Sequence, residues 1–470
     1  MTDEKKEAII KEQEGAERAA VENGIHNYST AKHYVKPTDE AVLRKLEWFQ
    51  DQKLGLMMHW GPYSQLGIVE SWALSDMDAD WSRNGIDWDV TGEEFKRQYF
   101  DLNKTFNPIR FEPEKWADVA KRAGTRYLLF TTKHHDGFCM FDSAYSDYKV
   151  TASDCPFHTH RYANICEHLF EAFRKRGLGI IPYFSKADWH VDTYWQNDTP
   201  RGKLKGRGPS YVPAEDPETW ERFVQFTQNQ IRELVTGYGR IEGLWFDAGW
   251  VCARTGQDIR LGELMEEMRR IQPGLLCADR TVGGPYENYV TPEQCVPPEP
   301  LGIPWESCVT LGRGFAYTYD DDYKTPRQLV CLLVDIVAKG GNLALNIAPQ
   351  PDGRLPAKGV RSLEGLGAWL DVYGEAIYET RVCAPYKKDG VAFTRKGDTV
   401  YAIETFEDEH AAPAPVMHIP YAGKAANVAA LGGAKIEAVE QEEGGFAVRF
   451  APAAEAAAPI ARVVRFTSPV

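Results

Sequence analysis

Asp247 ends a short apolar run, Leu244-Trp245-Phe246, and is followed at once by Ala248-Gly249. A parallel α/β barrel keeps its reactive groups at the C-terminal ends of its strands, so Asp247 reads as a nucleophile. By itself it reads equally well as the cap of a following turn. Other strand ends supply the company a nucleophile needs: His59-Trp60, Lys133-His134-His135-Asp136, Tyr183 with Asp188-Trp189-His190, and Asp279-Arg280. In a barrel these ends converge on one mouth. The set holds carboxylates, imidazoles, an arginine and tryptophans. It has no serine or cysteine in an elbow such as G-x-S-x-G. A metal held by His59, His134 and His135 is a rival, but neighbours on a regular strand face opposite ways, and no H-E-x-x-H or zinc-spaced Cys/His pair is present. The chemistry that fits is glycoside hydrolysis by two carboxylates. A retaining mechanism uses one ionised carboxylate as nucleophile and a second, about 5–5.5 Å away, that brings the proton for the leaving oxygen. Glu287, Glu293, Glu299 and Glu306 are the candidates for the second acid, and composition does not choose among them.

These groups need elements to hold them. Residues 54–60 are apolar up to His59 and read as a strand buried on both faces. Further strands are expected at 126–132, 178–184, 243–247, 275–279 and 342–347. Helices fall between them: one to about Gln52 capped by Thr38, then 114–122, 166–176, 217–235 and 261–271. Thr325-Pro326-Arg327-Gln328 spells a capping box with proline at N1, and the helix it opens is apolar nearly all round. The alternation implies a parallel sheet. The expected fold is α/β: a (β/α)8-like barrel over 37–382, after a polar leader at 1–36. A Rossmann sheet ranks lower because no G-x-G-x-x-G follows an early strand. Residues 72–92 read as a long loop, and 201–211 as a basic, glycine-rich surface loop. After about residue 385 the period changes to two. Lys396-Gly397-Asp398 is a hairpin signal, and 383–470 read as a C-terminal antiparallel β-sandwich.

The composition suits an ordinary globular protein of 470 residues, 43% hydrophobic and 26% charged. The length exceeds one compact core. A net charge of −14 argues against nucleic acid and anionic membranes as partners. Aromatics at 12% suit clefts that stack the C–H faces of sugars. Nine cysteines without a C-x-x-C pair suggest reduced thiols. The N-terminal stretch has no apolar h-region and no run approaches a membrane span, so a cytoplasmic enzyme is the expectation.

The motifs resemble those of the α-L-fucosidases, glycoside hydrolase family 29. Met58-His59-Trp60-Gly61-Pro62-Tyr63-Ser64, Thr132-Lys133-His134-His135-Asp136-Gly137-Phe138 and Trp245-Phe246-Asp247 match its strand ends. Trp305-Glu306-Ser307-Cys308 and Lys339-Gly340-Gly341-Asn342 match its later blocks. The resemblance implies a retaining exo-α-L-fucosidase acting on fucosylated oligosaccharides or glycoconjugates, with no metal or other cofactor. It places the nucleophile on Asp247. His59, His134 and His135 match fucose hydroxyl ligands, Trp245 a sugar-contacting tryptophan, Tyr183 a tyrosine near the nucleophile, and Arg280 an arginine after strand five. Glu70 or Trp72 matches a binding residue of the first loop. Thr291-Pro292-Glu293 resembles the segment that carries the acid/base in several members, so Glu293 is favoured for that role over Glu306, which joins the substrate-side set. The C6 methyl of fucose needs an apolar wall, for which Trp60 and Trp305 are candidates. Two rivals are a fucose-binding module that has lost turnover and a metal-dependent hydrolase.

Overall fold

The computed structural model describes residues 32–75, 78–83, 92–196, 206–408, 410, 413–451 and 459–469. Most of the polar leader, residues 84–91 and residues 201–205 therefore lie outside the described residues.

Seven parallel strands form one sheet in the order β5-β4-β3-β2-β1-β7-β6: β1 Leu54–Met58, β2 Tyr127–Lys133, β3 Gly179–Ser185, β4 Gly243–Asp247, β5 Leu276–Asp279, β6 Glu306–Thr310 and β7 Asn342–Asn346. Their apolar runs are buried on both faces, and the two faces pack into different cores. Met57, Leu129, Ile181, Tyr183, Trp245, Ala278, Cys308 and Ala344 point into the barrel. Leu56, Met58, Leu128, Phe130, Ile180, Phe184, Leu244 and Phe246 pack outward with the helices. This is the period-two alternation of a strand with both sides covered.

Helix α1, Glu40–Gln52, closes the barrel floor. Its buried Val42, Leu46 and Phe49 join the interior cluster. The cap is Asp39, whose Oδ1 accepts from the backbone N–H groups of Ala41 and Val42 at 2.7 and 3.2 Å, and not Thr38. Five later helices match expectation within a residue or two: α3 Pro113–Arg122, α4 Ile165–Lys175, α5 Pro217–Gly237, α6 Leu261–Ile271 and α7 Pro326–Ala338; α2 Gly92–Phe100 and α8 Ala357–Tyr373 lie where no helix was expected. The Thr325–Gln328 capping box forms in full.

The expected loop at 72–92 carries structure of its own: a 3-10 turn at Trp72–Leu74, a helical turn at Ala79–Ser82, and the start of α2. Residues 206–211 of the basic loop turn inward. The indole N–H groups of Trp189 and Trp195 donate to the carbonyls of Arg207 and Gly208 at 3.0 and 2.8 Å, which ties this backbone to the barrel mouth.

No regular eighth strand is present among the described residues. The gap between β5 and β6 is filled by an extended run from Tyr286 to Gln294. On one side Asn288 N–H donates to Cys277 O and Asp279 N–H to Tyr286 O; on the other Glu306 N–H donates to Val290 O, Cys308 N–H to Pro292 O, and Gln294 N–H to Cys308 O. The contacts with β6 are parallel bridges, Val290 with Trp305 and Glu293 with Cys308. This irregular stave completes the ring.

The C-terminal region holds a five-stranded antiparallel sheet in the order β12-β15-β10-β9-β8 and a three-stranded sheet in the order β11-β14-β13. Their ranges are β8 Arg381–Lys388, β9 Val391–Lys396, β10 Thr399–Thr405, β11 Val416–Ile419, β12 Ala426–Ala430, β13 Ile436–Glu442, β14 Gly445–Phe450 and β15 Ala461–Thr467. Ala392, Tyr401, Ile403, Ala461 and Val463 face the barrel core, whereas Val391, Phe393, Val400, Ala402, Val464 and Phe466 face the smaller sheet.

Candidate active site

The C-terminal ends of the strands surround a cavity of about 460 Å³ lined by His59, Glu70, Trp72, His134, Trp245, Asp247, Arg280 and Glu293 among others. That volume suits a monosaccharide with room at one side.

Asp247 is the last residue of β4 and shares its face with Trp245, as two-residue spacing requires. Tyr183 Oη donates to Asp247 Oδ2 at 2.6 Å, and Arg280 Nη1 to Oδ1 at 3.1 Å. Burial pushes this carboxyl upward, but Arg280, His135 and the Tyr183 hydroxyl outweigh it and hold Asp247 well below the usual carboxylate range. It is an anion at any working pH. Arg280 also donates through Nη2 to Glu293 Oε2 and through Nε to Thr291 Oγ1 at 3.3 Å. One guanidinium thus bridges the two carboxylates, and Glu293 is delivered from the irregular stave rather than from a free loop.

The imidazoles are anchored through Nδ1. Asn346 gives its amide N–H to Phe315 O at 2.8 Å, which turns Oδ1 toward His59 Nδ1 at 2.9 Å. His59 therefore carries its proton on Nδ1 and presents Nε2 as an acceptor. Ser185 Oγ donates to Ala187 O at 2.7 Å, so His135 Nδ1–H donates to that Oγ at 2.6 Å. His135 Nε2 is buried, has no hydrogen-bond partner, and lies 3.8 Å from Asp247 Oδ2. His134 Nδ1 meets Ser71 Oγ at 2.5 Å. Burial lowers all three; His59 and His135 fall to about 4, and His134 lies well below its ordinary value. They are neutral at pH 7 and suited to hydroxyls.

His134 and His135 do not diverge as neighbours on a strand would. The strand ends at Lys133, and the turn that follows brings their rings to 4.2 Å. Gly137, at φ +83°, makes that turn, and a Cβ there would stand 2.3 Å from Asp188 Oδ1. Donor atoms of His134, His135 and Asp247 lie within 4.8 Å of one another. A cation among them would face Arg280 across the same carboxylate, while Tyr183 holds the other oxygen. The donor set fits a sugar hydroxyl better than a metal.

Glu70 and Trp72 both reach the cavity. Burial, with Glu293 and Asp247 nearby, raises Glu70 to about 8, so its carboxyl is neutral at pH 7. Its Oε1 is buried without a partner. Tyr183 lies behind Asp247, its ring stacked on Trp245 at 5.2 Å, and holds the carboxylate rather than lining the cavity. Glu306 does not reach the cavity. It is 0% exposed, accepts from Tyr127 Oη and from Trp245 Nε1 at 3.2 Å, and supports the floor from below. Burial raises it to about 7. Trp60 and Trp305 are also corrected: Trp60 packs against Phe106, Phe111 and Trp116, and Trp305 against Gly341. The apolar ring that does line the cavity beside His59 is Phe315, at 4.9 Å. Phe315, Arg207, Trp81 and Trp250 line the cavity without having been singled out. Trp81 sits on the short helical turn Ala79–Ser82 and the other three on irregular segments, so no period marks any of them.

The alpha-L-fucosidase sequence model matches residues 22–375. The chain is 28% identical over 376 residues to the alpha-L-fucosidase of Branchiostoma floridae, covering 76% of this chain and 78% of that protein. It is similar to the solved alpha-L-fucosidase isoenzyme 1 of Paenibacillus thiaminolyticus (TM-score 0.74, 28% identity, 92% and 100% of the two chains). A Thermotoga maritima alpha-fucosidase solved in complex with fucose is similar too (TM-score 0.69, 26% identity, 92% and 100%). With the match spanning the barrel and both carboxylates, the chain belongs to the alpha-L-fucosidase family.

Proposed function

We propose that the chain is a retaining exo-α-L-fucosidase in which Asp247 is the nucleophile and Glu293 the acid/base. The observation that carries this reading is the single guanidinium of Arg280 joined to both carboxylates, with Asp247 held ionised. The fucose complex of the Thermotoga relative agrees with this substrate. In the first step Asp247 attacks the anomeric carbon, a glycosyl ester forms, the glycosidic C–O bond breaks, and the proton of Glu293 goes to the leaving oxygen. In the second, Glu293 takes a proton from water, whose oxygen bonds to the anomeric carbon as the ester breaks. The bare Nε2 atoms of His59 and His135 accept from sugar hydroxyls, and Phe315 meets the C6 methyl.

Asp247→Ala is expected to lower turnover of an aryl α-L-fucoside by at least about 10³-fold while binding persists. Azide should restore activity and yield the fucosyl azide of inverted configuration. Near-native turnover of the variant would overturn the assignment. Glu293→Ala should lose far more activity on poor leaving groups than on good ones; the same pattern in Glu306→Ala would exchange the two roles. Unchanged activity in EDTA is expected and would remove the metal-dependent rival.

A further inference from the structure

The residues around the cavity separate by exposure. His59, Trp245, Arg280 and Glu293 are buried at its floor, whereas Trp81 on the rim is 43% exposed. An exposed indole is ordinarily free to turn, but this one is fixed. Trp81 Nε1 donates to Asp78 Oδ1 at 3.1 Å. Asp78 is buried and accepts a two-pronged bond from Arg207, Nε to Oδ2 at 3.0 Å and Nη2 to Oδ1 at 2.7 Å. The Arg207 guanidinium in turn lies 4.4 Å over the face of Trp72, whose ring contacts His135 at 4.7 Å. The rim aromatic is thus braced through one carboxylate and one guanidinium against the ring that touches His135, the buried histidine beside Asp247.

A sugar whose anomeric carbon faces Asp247 and Glu293 must direct its leaving group away from the buried floor, toward the exposed rim. We propose that Trp81 is the stacking platform for the leaving-group sugar, a neutral pyranose presenting a C–H face, and that Asp78 and Arg207 are the positioning residues that hold it. This rests on the fucosidase reading above. Aromatic rings meet pyranose C–H faces through dispersion and the ring's negative face, with little ordering cost when the ring is already held. The polar edge of the same sugar meets Arg207, which keeps donors beyond those given to Asp78.

The test compares α-L-fucosyl disaccharides of the α1,2, α1,3, α1,4 and α1,6 linkages with α-L-fucosyl fluoride, whose leaving group is a single atom. Trp81→Ala should lower kcat/KM about tenfold on the best disaccharide and less than about twofold on the fluoride. Trp81→Phe should restore most of the loss, and Asp78→Asn should fall between. An equal loss on both substrates would reduce Trp81 to a structural role and overturn the proposal, as would no loss on the disaccharide. A wild-type enzyme that cleaves the fluoride but no disaccharide would also overturn it. A wild-type enzyme that cleaves neither would instead strike the fucosidase reading.

Discussion

At the scale of single residues, charge decides which carboxyl can do what. Asp247 is held ionised by Arg280 and Tyr183, while Glu70, in the same cavity, is raised to about 8 by burial with two acids nearby. Glu70 is therefore protonated through the neutral range and loses its proton near pH 8, placing a further negative charge beside Asp247. The expected outcome is an alkaline fall in kcat/KM centred near pH 8 that Glu70→Gln shifts upward. Profiles from pH 5 to 10 check it, and a limb that stays in place belongs to another group. The stability sign follows from the same value. The folded state holds this proton between pH 4.5 and about 8 and the unfolded state does not, so wild-type stability falls as pH rises through that window. Glu70→Gln should gain relative stability over it, with the gain level above pH 8. Asp247 was legible in the sequence because a strand's end is marked by its apolar run. The partner carboxyl was not, since Glu287, Glu293, Glu299 and Glu306 share one chemistry and only the fold, or the Thr-Pro-Glu resemblance, separates them. Glu306 shows the difficulty: two residues before Cys308 on β6, it lies one layer too deep.

At the scale of elements, turns aim the chemistry. Gly137 is required twice, by φ +83° and by the 2.3 Å that a Cβ would leave to Asp188 Oδ1. Asp188 is paired with the buried Lys133 at 3.0 Å and caps the N–H groups of His190 and Val191, so it cannot give way freely. Gly137→Ala should cost about 1–3 kcal/mol of stability, and the surviving folded fraction should lose activity through displacement of His134 and His135. Denaturant unfolding paired with kcat/KM per folded molecule checks both halves. The expected strands and helices were readable to within a residue or two because each strand was an unbroken apolar run and each helix had a strong period, whereas Gly92–Phe100 and Ala357–Tyr373 were not foreseen. The turn after Lys133 has none, so a strand-based expectation sent the two histidines apart. The inward turn at Arg207 was likewise hidden: a glycine-rich basic stretch looks solvent-exposed until the indoles of Trp189 and Trp195 that bind its carbonyls are placed opposite it.

At the scale of the whole molecule, the barrel is stoppered at one end and reactive at the other. The stopper includes a costly group: Lys53 Nζ is buried without a hydrogen-bond partner, and burial, then Arg381, lowers its pKa to about 7. Between pH 7 and 10.5 the unfolded chain binds the proton that the folded chain has released, so stability rises with pH across that interval. Lys53→Met should stabilise by about 1 kcal/mol or more at pH 6, and the gain should fade toward pH 10. Unfolding midpoints at several pH values test this, and a gain independent of pH would trace to packing alone. The overall architecture was legible from alternation of strands and helices, and the C-terminal sheets from the switch to period two. The manner of ring closure was not, because the stave from Tyr286 to Gln294 is held on both sides by backbone hydrogen bonds while carrying a proline, Pro292, and no apolar period. A ring with seven rigid members and one irregular seam concentrates its tolerance for change in the seam. Insertions or deletions between Tyr286 and Gln294 leave the six ladders of the parallel sheet intact while changing which side chain confronts Asp247. The proposed proton donor is therefore the component of the site most free to migrate along the chain during descent, and its counterpart in a distant relative is to be sought by superposing space rather than by aligning letters.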